Sequence, residues 1–167
     1  NANKEIEIMT WLLRRLVGVI ALALCANAAA QSTTIDFESF SDGDDPSNQV
    51  PGLTFTNALV LTAGVSLNEF DYPPRSGVNV ISDDGGALMI HFSAPITFLQ
   101  FYVTYAVPFT IHIYDANAIY VGSATSLFDS NLASSGDFGS LPNEEFQLMF
   151  AGGFSSAVLM GEALGES

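Results

Sequence analysis

Between Ile90 and Ser123 apolar and polar side chains alternate with a period of two. Leu99, Phe101, Val103 and Tyr105 fall on one side of an extended run, and Gln100, Tyr102 and Thr104 on the other. Further on, Ile111 and Ile113 oppose Thr110, His112 and Tyr114. A pleated strand needs this alternation when one side packs on a core and the other meets water. Pro95 and Pro108 lie between runs, where a missing backbone N–H does not interrupt a ladder. Asp115-Ala116-Asn117 breaks the pattern with turn-forming residues before Ile119 and Val121 resume it. The stretch therefore predicts three or four consecutive strands and no helix.

The same reading extends to the rest of the chain. It predicts a first strand over Thr33–Phe37, then two short strands or one bulged strand within Thr54–Leu61. Val78–Ile81, Leu88–Phe92, Phe146–Phe150 and Ala157–Met160 read as further strands, and Asp83-Asp84-Gly85-Gly86 as a tight turn. Thr62–Gly77 and Ser123–Asn143 read as long irregular stretches, the second with one helical turn near Leu127-Phe128. Arg75 is expected to pin the first of them through an ion pair with Asp71 or Glu69. Eight or nine short strands without an amphipathic helix predict an all-β domain, a two-layer antiparallel β-sandwich of jelly-roll type.

The N-terminal composition changes the picture. From Met9 a short segment bearing Arg14 and Arg15 leads into the apolar run Leu16–Leu24, followed by small residues up to Ala30. That is the layout of a secretory signal peptide, and it is shorter than the roughly 20 apolar residues a membrane span needs. Residues 1–30 are read as upstream sequence plus this signal peptide, and residues 31–167 as a single domain. Cys25 and Trp11 both lie in the leader, so the exported part has neither cysteine nor tryptophan, and no disulfide can hold it. Removing the leader also leaves Arg75 alone against sixteen carboxylates, a formal net charge of −15. Such a surface repels nucleic acid and anionic lipid, which are bound through clusters of Lys and Arg. Membrane contact is expected only through the leader.

Several segments together resemble a known family. They are Thr34-Ile35-Asp36-Phe37-Glu38, Gly52-Leu53-Thr54-Phe55 and Pro73-Pro74-Arg75-Ser76-Gly77-Val78-Asn79-Val80. They continue with Ile90-His91-Phe92-Ser93-Ala94-Pro95-Ile96, Tyr114-Asp115-Ala116-Asn117 and Gly122-Ser123-Ala124. In order and spacing the chain resembles the extracellular β-sandwich domains of bacterial PEP-CTERM (exosortase-sorted) surface proteins. The resemblance implies an exported protein, held on the cell surface or shed from it, without established enzymatic activity. The family's Pro-Glu-Pro sorting tag and its closing strand do not occur before Ser167. The expectation is a chain cut before them, or an untagged, freely secreted relative, with one sheet edge left unpaired.

Three chemistries are then weighed. Asp36, Glu38, Asp42, Asp44 and Asp45 crowd five carboxylates into ten residues, a candidate structural calcium site because hard cations collect oxygen ligands. The plain alternative is a solvated acidic loop whose carboxylates make local turn hydrogen bonds. Tyr102, Tyr114 and Tyr120 are candidate sugar-binding rings on outward faces, with cross-strand packing as the alternative. His91 and His112, with no Cys and no HExxH helix, give no recognisable zinc site, and no Gly-x-Ser-x-Gly turn is present. The reading is a secreted or cell-surface structural or adhesion protein that is not an enzyme. Its alternatives are a carbohydrate-binding module of an extracellular matrix and, behind it, a glycoside-active enzyme. Extracellular polysaccharide and other surface proteins are the expected partners.

Overall fold

The computed structural model describes residues 32–161, and the signal-peptide reading lies outside them. The fold is that of the unit beginning at Asp36. It is all-β, with seven strands and no helix among the described residues. The strands are β1 Leu53–Thr56, β2 Ala58–Thr62, β3 Asn79–Asp83, β4 Leu88–Val103, β5 Phe109–Tyr114, β6 Tyr120–Thr125 and β7 Glu144–Gly161. They form a five-stranded antiparallel sheet in the order β1-β4-β7-β5-β6 and a separate antiparallel pair, β2-β3.

Two corrections to the sequence reading concern strand number. The runs on either side of Pro95 are one strand, β4, and Phe146–Phe150 and Ala157–Met160 are both parts of β7. The ladder between β4 and β7 shifts register between His91 and Ile96 and again before Phe98. Pro95 sits inside the first shift, so its missing N–H falls where no ladder bond is required. A proline that reads as a boundary is thus absorbed into a bulge.

The bulged ribbon doubles back on itself. Phe109 is paired with Gly161 at one end of β7, yet its ring centroid lies 5.2 Å from that of Phe146 near the other end. A straight strand would hold residues 146 and 161 about 50 Å apart. β4 and β7 therefore bend strongly along their length, and the main core packs against both of their ends. Ile111, Ile113, Phe146, Leu148, Phe154 and Ala157 are buried there, with Leu99, Phe101 and Val103 packed against them. The predicted inward set of the central stretch is the observed one. Phe101 and Phe146 stack at 5.4 Å, and Phe92 meets Phe154 edge-on at 5.8 Å where the ribbon turns.

The predicted first strand does not form. Phe37 has φ 59°, which no strand permits, and Ser32–Phe37 carries no regular structure. Long-range hydrogen bonds decide the matter, because the Glu38 carboxylate accepts from the backbone N–H of Val78 (3.1 Å) and Asn79 (2.9 Å). Phe37 instead packs its ring edge-on against Phe55, in a second, smaller core with Ala58 and Leu88. At Gly77, where φ is +60°, a side chain would run into the Glu38 carboxylate. Asn57, with φ 55°, separates β1 from β2 and sends them into different sheets. No helical turn forms at Leu127-Phe128. Among the described residues no helix is long and apolar enough to cross a membrane.

Candidate functional site

The five acidic residues of the N-terminal loop do not converge. Asp36 Oδ1 accepts the N–H of Glu38, and Glu38 itself reaches Val78 and Asn79. Asp42 Oδ1 accepts from the N–H of Thr62 (2.8 Å) and from the Ser66 hydroxyl. Asp44 Oδ2 takes the N–H of Ser41, and Asp45 Oδ1 takes both the N–H and the hydroxyl of Ser47. These donors depress two of the acids: the Ser66 hydroxyl, then Thr62, holds Asp42 below the ordinary 3.8, and Ser47 does the same to Asp45. Among the described residues no three His, Cys, Asp or Glu side chains are grouped as metal ligands would be. The backbone of this loop also runs along β2, with Gly43 donating to Val60 and Val60 to Asp44.

The later loops follow the same rule. Asp115 Oδ1 accepts from Asn117 and Ile119, closing the β5–β6 turn and lowering its own pKa. Asp137 Oδ2 accepts from Asp129 and Ser130. Asn131, fully buried, accepts from the N–H of Tyr105 and donates to the carbonyls of Val103 and Leu141. Beside it the hydroxyl of buried Tyr105 donates to Glu144, whose other oxygen accepts the N–H of Leu127. Burial, then Glu144, pushes the Tyr105 phenol up to about 12. Arg75 is not the clasp that the sequence suggests. Its guanidinium lies 4.5 Å from the ring centre of Tyr102, and the long loop is held by Glu69 accepting from Gly64 and by Asp71 accepting from Asn68 and Ser134.

The three candidate tyrosines separate into two places. Tyr102 lies on the outward side of the far half of the ribbon, beside Gln100 and Glu145, with Gln100 Nε2 donating to Glu145 Oε1 at 3.0 Å. Tyr114 and Tyr120 are register partners on β5 and β6, on the outward side of the opposite layer. Their ring centroids are 6.1 Å apart, and His112 meets Tyr120 edge-on at 5.5 Å.

Following the register outward from Tyr114 reveals a face that sequence spacing alone does not show. Thr54, His91, Ser156, Tyr114 and Tyr120 are successive partners in one row across all five strands. The neighbouring row is Thr56, Met89, Val158, His112 and Ser123. None of these ten residues is buried, and none is Asp, Glu, Lys or Arg. Each strand's outward parity is readable in the sequence, whereas the order β1-β4-β7-β5-β6 that joins them is not.

Comparison with known protein families, with curated proteins and with solved structures found no match to this chain.

Proposed function

We propose that this chain is a secreted or cell-surface structural or adhesion protein without catalytic activity, its doubled sheet a two-layer sandwich of jelly-roll type. The observation that supports this most is how the loop carboxylates are used. Glu38, Asp42, Asp45, Asp115 and Asp137 each accept hydrogen bonds from backbone N–H groups of their own chain. A carboxylate so engaged fixes the shape of a loop and has its oxygens turned to the backbone rather than toward a substrate. The loops fixed in this way carry large apolar side chains into solvent: Phe70 is 78% exposed, Leu127 80% and Phe138 104%. Exposed apolar groups on pinned loops suit contact with other surfaces better than turnover of a substrate.

The resemblance to PEP-CTERM surface proteins supplies the proposed address, outside a bacterial cell. The test is protease shaving of intact cells expressing the natural chain, followed by comparison of attachment and matrix mass in cells lacking it. Peptides from the sheet released without lysis, together with reduced attachment or matrix, are the expected result. Recovery of the chain only after lysis overturns the address, and unchanged attachment and matrix overturn the role.

A further inference from the structure

We propose that the outward face of the layer carrying Tyr114 and Tyr120 is a binding platform for a neutral polysaccharide. The chain carries eighteen Asp and Glu for a formal net charge of −14, and yet two successive rows of this face contain no carboxylate. Both histidines of the sequence, His91 and His112, lie on it. The opposite outward face differs, because Glu145 is on it and Arg75 covers Tyr102.

The chemistry of the face matches a sugar polymer. Sugar rings present C–H groups of slight positive charge, which stack on the negative faces of aromatic rings, and rims of hydroxyls, which exchange hydrogen bonds with hydroxyl and imidazole groups. Tyr120 is 53% exposed and stands edge-to-face to both His112 and Tyr114, with interplanar angles of 81° and 73°. Rings at such angles offer stacking surfaces in two directions. Met89 and Val158 give the centre a half-buried apolar floor, flanked by Thr54, Ser156 and Ser123. Five strands at their usual separation make the row about 19 Å long, room for several sugar units in line.

Charge selects among the possible occupants. A polyanion meets the surrounding negative field, and so does a second copy of this chain. A cationic partner is drawn to the acidic loops rather than to a face without carboxylates. A neutral polymer remains. This inference rests on the extracellular reading only for where the polymer is met, and in vitro binding tests it separately.

The experiment is affinity electrophoresis and pull-down of the full chain with cellulose, chitin, starch and xylan as neutral probes and alginate as the anionic one. Retention by at least one neutral probe, weakened tenfold or more in Tyr120→Ala and in His112→Ala and unchanged in Tyr102→Ala, is the expected result. Ser123→Asp, which adds charge at an exposed position of the second row, serves if Tyr120→Ala does not fold, and it too is expected to abolish retention. No retention by any neutral probe overturns the proposal. So does retention of alginate alone, equal loss in Tyr102→Ala, or a dimer that Ser123→Asp dissolves.

Discussion

The loops and the outward face of the Tyr114 layer draw on similar polar side chains and use them in opposite ways. In the loops many polar groups are turned back on the chain: Asn131 ties Tyr105, Val103 and Leu141 together, and Asp42 holds Thr62 and Ser66. On the sheet face the ladder already satisfies the backbone, so the side chains have no such duty. Tyr120 donates to Ser123 and Thr110 to Thr125, contacts between neighbours that hold no loop in place. A side chain that a fold requires for its own backbone is a poor candidate for a ligand, whereas one that it leaves spare is a good one. On the proposed reading, stability and recognition lie in different regions of the protein.

Asn131→Ala should break this arrangement most visibly. It strands one buried backbone N–H and two partly buried carbonyls, at about 1–3 kcal/mol for each unmade bond before relaxation, and a net loss of about 3–4 kcal/mol is expected in urea melts. The outward face should still bind its ligand in the folded fraction. A loss below about 1 kcal/mol would show that the loop does not depend on this side chain.

A smaller effect should follow pH at the alkaline end. The Tyr105 phenol is raised to about 12 in the folded chain, above the 10 of an exposed tyrosine. Its contribution is therefore complete below pH 10 and is lost as pH rises toward 12, by up to about 2 kcal/mol. Tyr72, raised by burial, acts in the same direction. Urea melts from pH 8 to 11.5 should show the decline, and Tyr105→Phe should flatten it while Tyr72→Phe leaves most of it. An unchanged slope in Tyr105→Phe would remove the phenol–Glu144 bond from the account.

The smallest expected effect is none. Because Asp36, Glu38, Asp42, Asp44 and Asp45 each serve a different backbone partner, millimolar Ca²⁺ should leave Tm unchanged, as should EDTA. A rise of several degrees would return the acidic loop to the status of a cation site and blur the contrast drawn above.

How far the sequence was legible follows the range of the forces involved. Alternation is local, so the inward placement of Leu99, Phe101, Ile111 and Ile113 could be read directly, and so could the Asp115 turn. The break at Phe37 could not, because it is imposed by Glu38 reaching Val78 and Asn79 some forty residues away. Pro95 reads as a boundary between two strands, whereas the structure places it, with Ala151-Gly152-Gly153 of the partner strand, in the bulged bend of one ribbon. Five clustered acids suggest an ion because spacing shows proximity and not direction, and each of them accepts a hydrogen bond from a different backbone N–H. The three tyrosines are equivalent in strand parity for a similar reason, since only the strand pairing sets Tyr102, beside Glu145, apart from Tyr114 and Tyr120.

The strand β7 is the last described in the chain and stands in the middle of the sheet, paired with both β4 and β5. While this polypeptide is being made, everything up to Asn143 must wait without its central partner. Closure of the layers is then a late, all-at-once event governed by distant pairings, which are slow to find.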